Sequence, residues 1–363
     1  MLLSDDIPRQ IMQNKDLWNL YTRMEEYSPQ NLDQFGRFVY AQSTNNDILE
    51  PRVSKYLLNN NGYSINYPGF KKFAVCLTHD VDEIYPPRSH TLLSALNCLK
   101  DLNAKGIKRQ VFWKIHGKEM SPFWNFHEIM DLEEKYGATS SFYFLATNAD
   151  IRRFRYNIED LEKVLGQIID RGWEVGLHGG YYAYNDLEEI QREKKRLEQI
   201  LGKEVTGYRN HYLRFKIPDT WEYLKKAGFT YDTTLGYSNR VGFRNGMCHP
   251  FRPFNLNLNM EIDIWELPLA IMDVTLFGQS KSVQNAWDLA KICIDAVSCN
   301  NGVLVVNWHS NSFNGPFNNK ITYIYEKLLQ YCIKKGAWLA SAQEIINFWK
   351  KHPLKNKIQM EKF

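Results

Sequence analysis

The chain reads as an α/β fold with a mostly parallel sheet or barrel, and three observations carry that reading. From Phe73 onward, apolar runs of strand length alternate with segments of helical spacing. The apolar runs end in polar clusters, at Asp80/Asp82, His178, Arg209/His211, Asp232 and His309. The 363 residues suffice for one α/β-barrel-sized domain with additions, or for two smaller domains.

Residues 1–70 are expected to form a small, mainly helical extension, with helical spacing from Ile11 to Tyr27 and a further short helix from Asp33 to Ala41. No candidate chemistry falls there. The main domain, 71–350, opens with Phe73-Ala-Val-Cys-Leu77, apolar enough for a buried strand, followed abruptly by Thr78-His-Asp-Val-Asp82. A long excursion to Pro122 carries a helix at Ser89–Leu102 and no clear period at Val111–Met120. Further strands are predicted at Thr139–Leu145, Trp173–Leu177, Val205–Tyr208, Phe229–Thr234, Ile262–Leu267, Val303–Trp308 and Ala337–Ala340. The helices between them are Asn125–Tyr136, Ile158–Arg171, Leu187–Leu201 capped by Asp186, Pro218–Lys226 and Val283–Ser298. That makes six or seven β/α units, and residues 351–363 remain as a C-terminal tail.

Composition narrows the function. A net charge of +4, spread along the chain, gives no basic stripe for nucleic acid. No apolar window is long enough to span a membrane, and Met1-Leu-Leu-Ser-Asp-Asp does not read as a signal peptide. The six cysteines lack C-x-x-C spacing, so disulfides and a cysteine zinc site are not expected, and a cytoplasmic location is.

Carboxylates at the C-terminal end of an apolar strand must cap the strand, face a metal, or both, because unpaired buried charge is costly. Strand alternation puts Asp80 and Asp82 on one side, and His79 beside them suggests a metal ligand plus a proton acceptor. Loop aspartates closing a turn before Tyr85-Pro-Pro87 are the alternative. A lone strand-end histidine is more often structural. Five strand ends bearing metal- or proton-competent groups instead point to one shared mouth.

These residues resemble the polysaccharide deacetylases of the NodB-homology type (carbohydrate esterase family 4-like) over about residues 70–345. The likeness rests on Thr78-His-Asp-Val-Asp82, Gly176-Leu-His-Gly-Gly-Tyr-Tyr182, Arg209-Asn-His-Tyr212 and Val305-Val-Asn-Trp-His309. The first of these, with Arg209-x-His-Tyr-Leu-Arg-Phe215, looks like a divergent, unsecreted subgroup associated with surface polysaccharides. The resemblance implies a distorted (β/α) barrel and one divalent metal ion, with zinc the first expectation, that activates water against an N- or O-acetyl group on a sugar or glycan.

By position, Asp80 would be the general base, Asp82 and His178 metal ligands, and His309 the general acid. Arg209 would hold Asp80 and favour its charged form, and Tyr212 would offer a backbone N–H to the oxyanion. The family's second histidine falls at Tyr182, so the third ligand is missing from its usual place. His211 is the replacement favoured here, ahead of His79 and Asp186. Two alternatives stand beside a deacetylase: a hydrolase of a non-sugar C–N bond, and a catalytically silent glycan-binding or scaffold protein.

Overall fold

The computed structural model describes residues 6–29, 31–61, 65–100, 103–150 and 156–352. Its strands are β1 (Phe73–Val81), β2 (Ser141–Leu145), β3 (Glu174–Gly179), β4 (Gly207–Asn210), β5 (Tyr231–Asp232), β6 (Phe254–Asn255), β7 (Met260–Glu261), β8 (Trp265–Glu266), β9 (Leu269–Met272), β10 (Val303–Asn307) and β11 (Ala337–Ala340). Eight of them follow the order β8-β5-β4-β3-β2-β1-β10-β9, with every neighbour parallel. The ninth, β11, also pairs with β1. Strands β6 and β7 form a separate antiparallel pair.

The sheet has nine strands where a barrel of about seven was expected, and the strand with no predicted counterpart is β9, just past Pro268. Proline has no N–H for a ladder, so it reads as the end of a strand. The expected strand Ile262–Leu267 is reduced to the two residues of β8, and the chain resumes as β9 just beyond the proline. This break also shapes the barrel. Strands β8 and β9 occupy opposite ends of the sheet path, yet only Leu267 and Pro268 separate them. Three Cα steps span about 11 Å at most, so the two edges must meet and the sheet must curl. The segment after β5 fills the seam, where Leu269 N–H donates to Leu235 O and Gly242 N–H to Ala270 O.

Strand β1 is the axis of the sheet, and all nine of its residues are buried. One edge pairs with β10, while the other pairs with β11 along Phe73–Cys76 and with β2 along Thr78–Val81. Surrounding helices bury one apolar stripe each. Helix Glu162–Asp170 turns Val164, Leu165 and Ile168 inward, each worth roughly 1.5–3 kcal/mol on burial. Asp186 caps helix Leu187–Leu201 as expected, accepting from Glu189 N–H at 3.1 Å. In the long excursion, the stretch without clear period lies in helix Ala104–His116 and the 3₁₀ turn Lys118–Met120.

Ahead of β1, helices Lys15–Thr22 and Arg52–Asn61 pack onto the loop between β5 and β6, and helix Asp6–Ile11 packs on those two. Tyr21 Oη donates to Arg252 O at 2.7 Å, Arg23 Nη1 donates to Arg244 O at 2.8 Å, and Glu26 sits between the guanidinium groups of Arg23 and Arg244. The short helix expected over Asp33–Ala41 is instead a turn around Asp33–Arg37, and the span ends in a 3₁₀ turn at Tyr40–Gln42. Of the tail, residues 353–363 lie outside the described residues.

His249 joins this annex to the barrel. It is buried, shares a hydrogen bond of 2.9 Å with Ser54 Oγ, and meets the Trp349 ring edge-on at 5.7 Å. Burial pushes its imidazole down to about 4, whereas an unfolded histidine titrates near 6.5. The folded state binds this proton less readily, so stability is complete above about pH 6.5 and lost as pH falls through 4. In urea titrations, the stability lost between pH 7.5 and 4.5 should be smaller in His249→Gln than in the wild type, by about 2 kcal/mol.

Candidate metal centre and active site

Parallel strands bring their C-terminal ends to one rim. Along β1 the alternation sends Asp80 and Asp82 into this mouth and His79 to the other face. His79 is fully buried there, with Nε2 2.9 Å from Glu133 Oε1 and Nδ1 donating to Trp308 O at 2.7 Å. Glu133 also accepts from Ser140, Trp173 and Tyr325. That network packs the barrel wall, and His79 is removed from the candidate ligands.

Asp82 Oδ1 lies 3.2 Å from His178 Nε2 and 3.5 Å from His211 Nε2. The ligand-type atoms of these three residues all fall within 4.8 Å of one another, and among the described residues no other such group occurs. His178 sits inside β3, one residue beyond the predicted strand end, and its Nδ1–H donates to Arg209 O at 3.0 Å. Its Nε2 therefore faces the mouth and Asp82. The following Gly179 is required by packing, since a Cβ there would come within 1.9 Å of Tyr208 Oη. His211 opens a tight turn directly after β4, with its Nδ1 3.7 Å from Asp150 Oδ1.

Asp82 Oδ1 is buried and makes no hydrogen bond. Burial alone would raise this carboxyl, but the charge of His211 and contacts with His178 hold it well below the usual range. One carboxylate oxygen and two imidazole nitrogens converging within 4.8 Å fit a divalent cation of borderline softness, which would take the place of imidazole protons.

Asp80 is anchored differently. Its Oδ1 accepts from Arg209 Nη1 at 3.2 Å and its Oδ2 from Asn307 Nδ2 at 2.7 Å. Arg209 is itself fixed by Thr78 Oγ1, Thr233 O and Thr233 Oγ1. It lies inside β4, which runs over 207–210 and not over the predicted 205–208. His309, just past β10, places Nε2 3.9 Å from Asp82 Oδ2 and bonds through Nδ1 to Asp273 Oδ1 at 2.7 Å. Asp273 Oδ2 accepts from the His309 backbone N–H and from Ser312 Oγ. Burial works against the imidazolium, but Asp273 outweighs it and pushes His309 up to about 10. Tyr212 adopts a left-handed backbone (φ 63°) directly after His211.

Other residues weighed in the sequence lie elsewhere. Tyr182, where a second histidine was expected, is 54% exposed. Asp186 is used as a helix cap. Asp232 forms a buried carboxyl pair with Glu266 across β5 and β8; burial raises both, Asp232 to about 6, so the pair retains a proton. Trp308 is core, 5.4 Å from the Tyr325 ring. Arg244 is paired with Glu26, and Arg214 is stacked between Tyr181 and Tyr184.

Four site residues escaped the sequence reading: Asn307, Asp150, Phe35 and Arg37. The first lies two residues before His309 and was legible as the last polar position of β10. The others reach the mouth from distant segments with no local signature. A cavity of about 310 Å³ joins Asp80, Asp82, His178, His211 and His309 to Phe35, Arg37 and Tyr212. A larger cavity, of about 450 Å³, opens by Asp16, Arg23 and Arg52, but no histidine or cysteine lines it. The convergent titratable groups line the smaller one.

No protein-family model matches the chain, and no curated protein matches it in sequence. Solved structures do match in fold. A candidate polysaccharide deacetylase from Mycobacterium smegmatis superposes with TM-score 0.55 at 18% identity, over 80% of this chain and 94% of that one. An allantoinase gives 0.55 at 13% identity, over 90% and 99%. A candidate polysaccharide deacetylase from Pseudomonas aeruginosa gives 0.54 at 14% identity, over 80% and 95%. At these identities the likeness concerns architecture, and this chain has the NodB-like barrel fold of the polysaccharide deacetylases.

Proposed function

We propose that the protein is a metal-dependent deacetylase that hydrolyses an acetamido or acetyl ester group on a sugar, in the making of a surface polysaccharide. The observation that carries this is the division of labour between two carboxylates on one strand face. Asp82 turns an oxygen without a hydrogen bond toward two imidazoles, while Asp80 has both oxygens fixed by Arg209 and Asn307.

Asp82, His178 and His211 would hold the cation, with zinc favoured by the donor set. A cation bound there would activate water and polarise the acetyl carbonyl. Asp80, oriented by Arg209, accepts the proton of the attacking water. The Tyr212 backbone N–H, aimed by the left-handed turn, donates to the oxygen that gains charge. His309, kept protonated by Asp273, delivers a proton to the departing nitrogen. The C–N bond breaks, and acetate and the free amine leave. The high affinity of His309 for its proton is tempered by any positive charge placed among Asp82, His178 and His211.

Likeness to an allantoinase favours a second reading, cleavage of a non-sugar C–N bond by the same groups. Acetate release from N-acetylhexosamine glycans separates the two. Asp82→Ala should lose both zinc in metal analysis and turnover, whereas Asp80→Ala should keep the zinc and lose turnover by about 10²–10⁴-fold. Full activity in both variants would refute the assignment. In chelator-treated protein, Asp273→Asn should move the His309 titration, followed by NMR, from about 10 down toward the ordinary histidine range.

A further inference from the structure

The turn Asp33–Arg37 comes from the segment ahead of the barrel, yet it forms one side of the candidate site. It is braced internally. Asp33 Oδ1 accepts from the backbone N–H groups of Phe35 and Arg37, both at 2.9 Å, and Asp33 N–H donates to Arg37 O at 3.0 Å. Gly36 takes φ +72°, and a Cβ there would lie 3.3 Å from Arg214 Nη2, so the turn needs glycine. Arg37 Nη1 donates to Tyr212 O at 3.0 Å, which seats the turn on the residue after His211. The Phe35 ring then packs against the Tyr212 ring, with centroids 5.0 Å apart.

We infer that Phe35 is a specificity-determining wall that confines the substrate to a single sugar unit, isolated or at the end of a chain. This rests on the proposed sugar-deacetylase reading and names its substrate class. Two observations carry it. The cavity bounded by Phe35 and Tyr212 is about 310 Å³, at the lower end of the range for ligand pockets. The wall also offers a ring and not a charge. Arg37 gives Nε and Nη2 to Asp33 and Nη1 to Tyr212, and its guanidinium lies 4.8 Å over Phe35. An anionic group would have to displace those partners, whereas the apolar face of a pyranose can rest on Phe35 directly.

Calorimetric titration of the zinc-loaded protein with N-acetylglucosamine and with chitotetraose tests this. A groove gains affinity with each added unit; a pocket does not. The wild type should bind the two sugars with dissociation constants within about threefold of each other. Phe35→Ala should weaken both by at least threefold, and Phe35→Tyr, which keeps the ring, should restore them. Tetramer binding tenfold or more tighter than monomer binding overturns the inference. So does a loss below threefold in Phe35→Ala, or an absence of sugar binding in the wild type. Sugar binding of the expected kind without acetate release would leave the wall standing and sink the deacetylase reading instead.

Discussion

Three lone-pair acceptors, from Asp82, His178 and His211, face one another within 4.8 Å at the barrel mouth. Acceptors in that arrangement repel unless a proton or a cation lies between them. The Asp82 carboxylate depends on such a positive neighbour, an imidazole proton or a cation. The Nδ1–H of His178 is committed to Arg209 O, and the Asp82 carboxyl is held firmly in its charged form. The closure of the sheet across Leu267-Pro268 is what makes the crowding possible, because it turns separate strand ends toward a common centre.

The two aspartates show how environment divides identical side chains. They are two residues apart on one face of β1, and sequence alone makes them equivalent. Arg209 and Asn307 saturate Asp80 and fix its orientation, so it is poised to exchange a proton at a defined place. Asp82 stands nearer solvent, and its Oδ1 has imidazole neighbours instead of hydrogen-bond donors. A similar division separates the mouth from the wall behind it. There His79, one residue from Asp80, is locked to Glu133 and serves packing.

Much of this was readable because strand period and strand-end polarity are local properties. The alternation along Phe73–Asp82 assigned faces correctly for Asp80 and Asp82, and by the same rule should have turned His79 away. The strand ends at His178 and His309 were placed to within two residues. What was not legible is non-local. Pro268 hid β9, because a residue that cannot donate to a ladder looks like a terminus even where the chain resumes pairing beyond it. Asp273 could be read as orienting a catalytic group, but more readily as a turn or strand-end residue; its grip on His309 depends on β9 and β10 being neighbours. Phe35 and Arg37 lie in a stretch whose spacing imitates a helix, and only the annex's docking brings them to the mouth.

The presence of tyrosine at position 182 has a thermodynamic consequence. A histidine there would pair with His178 within a single short segment, a local chelate that survives partial unfolding. Here the three converging groups come from the residue after β1, from β3 and from the turn after β4, and any two lie at least 33 positions apart in sequence. An unfolded chain offers no such clamp, so a cation held by these groups would bind almost wholly to the native state. Its binding energy would then count in full toward the cooperativity of the barrel.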